Sequence, residues 1–201
     1  MRQRSRRRVL IVFTTLSVSG ALLASCGGGS ASSQAHPKPT GATDVTSGGD
    51  IPDTQAFVSF SSPDGSFSLK VPEGWGRTAT GSATVFSDKL NSVRVDVASV
   101  ATPATIASAT AVEVPAIKAA SRAFKLGAVW SERHTAGDAV VVRYRVDSPL
   151  DPVTGKSVPL AVGRYEFVRH GRQVTITLSA PVGYDNADAW KTIVDSFGWH
   201  R

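Results

Sequence analysis

Four stretches of this chain place apolar side chains at every second position, and a period of two is the pattern of a β-strand with one face buried. Val93, Val95 and Val97 alternate with Arg94 and Asp96, and Val174, Ile176 and Leu178 with Thr175, Thr177 and Ser179. Tyr165 and Phe167 alternate with Arg164 and Glu166. Val140, Val142, Tyr144 and Val146 alternate with Val141, Arg143, Arg145 and Asp147. A chain patterned in this way has to build a sheet and cover one side of it. Phe57 to Phe60 and Phe67 to Val71 flank Ser62-Pro63-Asp64-Gly65-Ser66, whose Pro and Asp-Gly supply turn geometry for a hairpin. Shorter runs at 84–87 and 128–134 add strands, and His170-Gly171-Arg172 supplies a tight turn between two of the long ones.

Helical signals are fewer. Thr102-Pro103 reads as a cap followed by proline in the first turn, and Pro115 divides this helical region into two pieces. In the second piece Ile117, Ala120 and Phe124 share one helical face, and Gly127 can end it. Near the C-terminus Asp185 or Asn186 can cap a helix in which Trp190, Ile193, Val194 and Phe197 line one stripe, with Gly198 as its stop. Strands in sequence interrupted by helices predict an α+β fold, an antiparallel β-sheet flanked by helices.

The N-terminus carries a different message. Arg2, Arg4, Arg6, Arg7 and Arg8 precede an apolar run from Val9 to Leu23, and Leu23-Ala24-Ser25 leads to Cys26, the single cysteine of the chain. This pattern resembles the signal peptide of a bacterial, actinobacterial-type lipoprotein, with its lipobox at residues 23–26. The resemblance implies removal of residues 1–25, lipidation of Cys26 and attachment to the extracytoplasmic face of the cell membrane. The apolar run is about 15 residues and a membrane-spanning helix needs roughly 20, so a permanent span is the weaker reading. Cysteine suits the chemistry because its thiolate can form a thioether with a diacylglyceryl group. One acyl chain anchors marginally and two or more anchor durably. Ser5-Arg6-Arg7-Arg8-Val9-Leu10 also resembles a twin-arginine export signal, with Val9 where phenylalanine is usual, so the export route stays open.

Gly, Ser, Ala, Thr and Pro dominate residues 26–55, where Val45 and Ile51 are the only large aliphatic side chains and no aromatic occurs. Such a segment buries too little to offset its ordering entropy and reads as a tether. With about 30 residues its reach is roughly 30 Å. Residues 56–201 then form one domain of ordinary size. The formal charge of +6 falls to +1 without the five arginines of residues 1–25, which include no acid. A nucleic-acid partner is therefore not expected. With no cysteine beyond position 26, no disulfide can brace the fold.

Phe60-Ser61-Ser62-Pro63-Asp64-Gly65-Ser66-Phe67-Ser68-Leu69-Lys70-Val71-Pro72-Glu73-Gly74-Trp75 resembles the opening of the Mog/PsbP-like family, an aromatic strand, a turn and a second strand ending in Val-Pro-x-Gly-Trp. Ile193-Val194-Asp195-Ser196-Phe197 is similar to its closing helix. The resemblance implies an α/β sandwich in a family of mostly binding or accessory proteins that share no catalytic residues. It gives Pro72 and Trp75 a structural role.

No catalytic, metal or cofactor motif stands out in the residues themselves. His36, His134, His170 and His200 are scattered, no Gly-rich phosphate loop is present, and no Gly-x-Ser-x-Gly elbow occurs. Asp151 to Lys156 reads as an exposed turn-rich loop. With the valine-rich positions turned to the core, Arg94, Asp96, Arg143, Arg145, Arg164, Glu166, Thr175 and Thr177 are expected together on the opposite, solvated face. That face would be a mixed-charge platform for an acidic envelope protein segment or an anionic glycan. The expected function is thus a monomeric, non-catalytic binding or accessory module of the cell envelope. A carrier of an apolar small molecule or lipid is the alternative, and an envelope hydrolase comes third.

Overall fold

The computed structural model describes residues 48–200, so the signal sequence, Cys26, His36 and residues 26–47 of the expected tether lie outside the described residues. In chain order the strands are β1 (Phe57–Ser61), β2 (Phe67–Pro72), β3 (Gly76–Thr80), β4 (Ala83–Asp88) and β5 (Asn91–Ser99). A helical stretch comes next, made of α1 (Ile106–Ser108), a π-helical turn (Ala109–Glu113) and α2 (Val114–Ala120). Then come β6 (Lys125–His134), β7 (Gly137–Asp147), β8 (Pro159–Arg169), β9 (Arg172–Pro181), α3 (Ala187–Asp195) and β10 (Gly198–Trp199). Seven strands form one antiparallel sheet in the order β3-β4-β5-β9-β8-β7-β6, and β1-β2-β10 form a second. The architecture is the α+β fold that the alternation predicts.

Register decides what each face carries. Val95, Ile176, Tyr165, Val141 and Trp130 make one row across β5, β9, β8, β7 and β6. This front face packs with Phe60, Phe67, Leu69 and Val71 of the small sheet and with Trp190, Ile193 and Val194 of α3. Burying each such side chain is worth roughly 1.5–3 kcal/mol, so this layer dominates stability. The back face carries Val140 and Val142, covered by Ala109 and Val114 of the helical stretch. The sheet is therefore covered on both sides, and Val140 and Val142 serve a different layer from Val141.

Several local expectations change. The helical stretch starts after Thr105, whose hydroxyl accepts from the Ser108 N–H in a capping box, and not at Thr102-Pro103. Pro115 does not divide it. The Val114 N–H reaches back five residues to the Ala109 carbonyl. This wider turn lies where the proline ring would otherwise press on the preceding turn. Phe124 lies beyond α2 and stacks on Tyr144, with ring centroids 5.5 Å apart. Gly127 is no helix stop: it sits in β6 at the register shift between Leu126 and Ala128, where a Cβ would come within 3.0 Å of the Arg143 carbonyl oxygen. Gly198 does not merely end α3 but opens β10, which pairs with β2. The expected β8–β9 turn is present, with His170 and Gly171 at φ of 49° and 73°, the type I′ geometry that suits strand twist. Ile51, assigned to the tether by composition, is 6% exposed and belongs to the main core.

Candidate functional site

The expected platform is split by the sheet. Arg94, Thr177 and Arg164 align across β5, β9 and β8, as do Asp96, Thr175 and Glu166, so these six share the back face. Arg143 pairs with Gly163, while its neighbour Val142 pairs with Arg164, which puts Arg143 and Arg145 on the front. The displacement arises in β7, whose run Val140-Val141-Val142 is apolar on both faces, so that its valines do not tell which alternate set faces the main core.

The back-face charges are tied to one another. Arg94 is bonded to Asp96 through two contacts of 2.6 and 2.7 Å. Arg164 Nε donates to Glu166 Oε1 at 2.6 Å and lies 3.3 Å from Glu113 Oε2 of the helical stretch. Glu166 is 1% exposed and Thr175 3%. Burial, with the Glu113 carboxyl beside it, pushes the Glu166 carboxyl up to about 8 against the pull of Arg164. This cluster holds the helical stretch to the sheet and leaves little of the expected solvated platform.

On the front, a cleft of about 390 Å³ opens between α3 and the β6–β8 end of the large sheet. Strand alternation brings Glu132, His134, Arg143 and Tyr165 to it, and one helical stripe adds Trp190, Lys191, Val194 and Asp195. His134 Nδ1 lies 2.9 Å from Asp195 Oδ1, and its Nε2 lies 3.4 Å from Glu132 Oε1 without hydrogen-bond geometry. The ring is thus held between two carboxylates. Asp195 is also bonded by Lys191, one turn earlier on α3, and the Lys191 and His134 contacts hold its carboxyl below the usual range. Glu132 Oε2 accepts from the Trp130 indole at 3.1 Å. Among the described residues, no group of His, Cys, Asp and Glu is placed to hold a metal ion.

Arg143 differs from its neighbours. Its guanidinium lies over Gly163, where a Cβ would meet Nη1 at 3.0 Å. It packs on the Trp190 ring at 4.9 Å and donates from Nη2 to the Tyr165 hydroxyl at 2.5 Å. Burial pushes the Tyr165 hydroxyl up, so it meets the arginine as a neutral phenol. Among the described residues, no carboxylate lies within ion-pair distance of Arg143. A guanidinium held flat by aromatic rings, with N–H groups to spare, can bind a carboxylate or phosphate. Arg145, two residues on, is exposed. Asn186 at the rim accepts from the Ile51 N–H at 2.8 Å and donates to the Gly49 carbonyl at 2.9 Å, while Asp185 takes the Ala187 N–H at the start of α3.

Of the candidate residues, only Arg143 lies in this cleft. His134, Tyr165, Trp190 and Asp195 escape sequence reasoning because they are far apart in the chain and only the packing of α3 on the sheet joins them. The detectable signal is Gly163, a glycine inside an alternating strand, which marks a close approach.

No protein-family model matches the chain, and no curated protein sequence matches it. The solution structure of cyanobacterial PsbP from Synechocystis sp. PCC 6803 is similar, with a TM-score of 0.52 at 16% identity over 76% of this chain and 98% of that one. The fold is like that of PsbP. The Saccharomyces cerevisiae Ran-binding protein Mog1p has a TM-score of 0.47 at 11% identity, covering 72% of this chain and 95% of its own. LpqN, described as involved in cell envelope biogenesis of Mycobacterium tuberculosis, has a TM-score of 0.45 at 12% identity, covering 74% and 93%. Among the described residues, no helix is long and apolar enough to cross a membrane.

Proposed function

We propose that this protein is a lipoprotein anchored through Cys26 to the extracytoplasmic face of the membrane, and that its domain is a non-catalytic binding module of the cell envelope. The observation that carries the binding role is Arg143, a cation oriented by Trp190 and Tyr165 in an open cleft and lacking a carboxylate partner among the described residues. The partner presents a carboxylate or phosphate to it. The lipobox supports the anchor, and the charge of +1 beyond it argues against nucleic acid.

Crosslinking the full chain in its own membrane, with identification of the captured component, tests the module. Arg143→Glu should reduce capture at least tenfold, and Arg145→Glu at most two- to threefold. Undiminished capture by Arg143→Glu would sink the assignment of the cleft. Metabolic labelling with palmitate tests the anchor, and Cys26→Ser should abolish incorporation.

A further inference from the structure

A second cleft, of about 360 Å³, lies between the β1–β2 hairpin and the β3–β5 end of the large sheet. Its wall is apolar: Phe60, Phe67, Val95 and Val97 line it, and the first three are at most 6% exposed. Its rim carries Arg77, Arg172 and Asp64. Asp64 accepts from the N–H and hydroxyl of Ser66 at 3.2 and 2.8 Å and also bonds Arg172. Hydrogen bonds from Ser62 and Ser66 hold its carboxyl far below the usual range, so Asp64 neutralises Arg172 at any physiological pH. Arg77 has no such partner among the described residues. Its guanidinium sits over the Phe60 ring at 4.8 Å and 5.8 Å from that of Phe86. It projects from β3, a strand exposed along its length, so a ligand can reach it.

We infer that this cleft binds a single-chain amphiphile with one anionic head, the chain lying on Phe60, Phe67, Val95 and Val97 and the carboxylate or phosphate resting on Arg77. Charge complementarity selects this occupant. Among the described residues the rim holds one uncompensated cation, and the wall offers no hydrogen-bonding side chain beyond the rim serines and Thr84. A peptide would bring backbone groups into the apolar part with nothing to satisfy them. Ligand cavities run from roughly 300 to 1,000 Å³, and a cleft at the lower end takes one chain and not two.

The test uses the full chain in its membrane and a photoactivatable, alkyne-bearing fatty acid, beside the corresponding fatty alcohol. The acid should label peptides containing Phe60, Phe67 or residues 95–97 at least fivefold more than the alcohol does. Arg77→Glu should cut that labelling about tenfold, and Val97→Trp should abolish it. Should Val97→Trp fold poorly, Ala79→Trp on the exposed strand blocks the same mouth. Competition by dodecanoate but not dodecyl phosphate assigns a carboxylate head, and the reverse a phosphate. Arg143→Gln should leave labelling unchanged, which separates this cleft from the one beside α3. Equal labelling by acid and alcohol, labels confined to other strands, or undiminished labelling in Arg77→Glu would each overturn the inference.

Discussion

Arg143 owes its position to an atom that is missing. Glycine at 163 leaves the space in which the guanidinium lies, since a Cβ there would approach Nη1, Cζ and Nε at 3.0, 3.1 and 3.2 Å. The atoms in the way belong to a flexible side chain, so Gly163→Ala should move the arginine and leave the backbone alone. Its cost to stability should be about 1 kcal/mol, near the lower limit for overpacking. Its effect on partner capture should approach that of Arg143→Ala, as thermal melting and membrane crosslinking on the same variant would reveal. Asn186 makes a different point at this scale. It is 5% exposed and bonds both Gly49 and Ile51, so Asn186→Ala leaves two buried backbone groups without partners. A loss of roughly 1–3 kcal/mol is expected, with faster proteolysis around residues 48–52. Asp185→Ala, which removes only an exposed turn contact, is the control and should cost far less.

The helical stretch shows how an element can be attached by charge. Its apolar contact with the back face is small, formed by Ala109, Val140 and Val142 with a few partly buried neighbours. Glu113 adds a carboxyl beside Arg164 and the buried Glu166. Folding raises the affinity of Glu166 for its proton, so the native state binds more proton than the unfolded chain between the ordinary carboxyl pKa and about 8. Stability is then full below that window and declines as pH rises through it. One pKa unit corresponds to about 1.4 kcal/mol, and relaxation of the cluster should reduce the loss between pH 5 and 8 to the order of 2 kcal/mol. Glu166→Gln should flatten that slope in urea titrations across the range, while Asp96→Asn should leave it in place. The helical stretch is also poorly legible in the sequence. Prolines 103 and 115 have the character of boundaries, but the cap is formed by Thr105 and Ser108, and a π-turn carries the chain past Pro115. By contrast the long strands are legible, because alternation reports one-sided burial directly. It fails where β7 is buried on both faces, and that failure puts Arg143 and Arg145 on the wrong side.

At the scale of the molecule, the sandwich is closed by pieces that composition hides. β3 has no large apolar residue, and β10 has two residues, yet β10 pairs with β2 and brings Trp199 against Phe67 and Phe197, with ring centroids 6.5 and 5.1 Å away. Neither strand is long or alternating enough to be detected by period. The N-terminal edge behaves in the same way. Residues 26–55 read as uniformly spacer-like, but Ile51 enters the main core and Gly49 packs against Tyr184, where a Cβ would come within 2.5 Å of the ring. The folded unit therefore begins before residue 56, and a single isoleucine in a polar segment is the only sign of it. If Ile51 is a core residue, Ile51→Ala should cost about 2–4 kcal/mol, the range for truncating a buried aliphatic side chain. Val58→Ala, at a position 41% exposed on β1, should cost about 0.5 kcal/mol or less. Equal small losses for the two, measured by urea unfolding, would return Ile51 to the tether. A large loss at Ile51 alone would place Ile51 inside the folded unit, where Asn186 ties its backbone to the rim of the cleft beside α3.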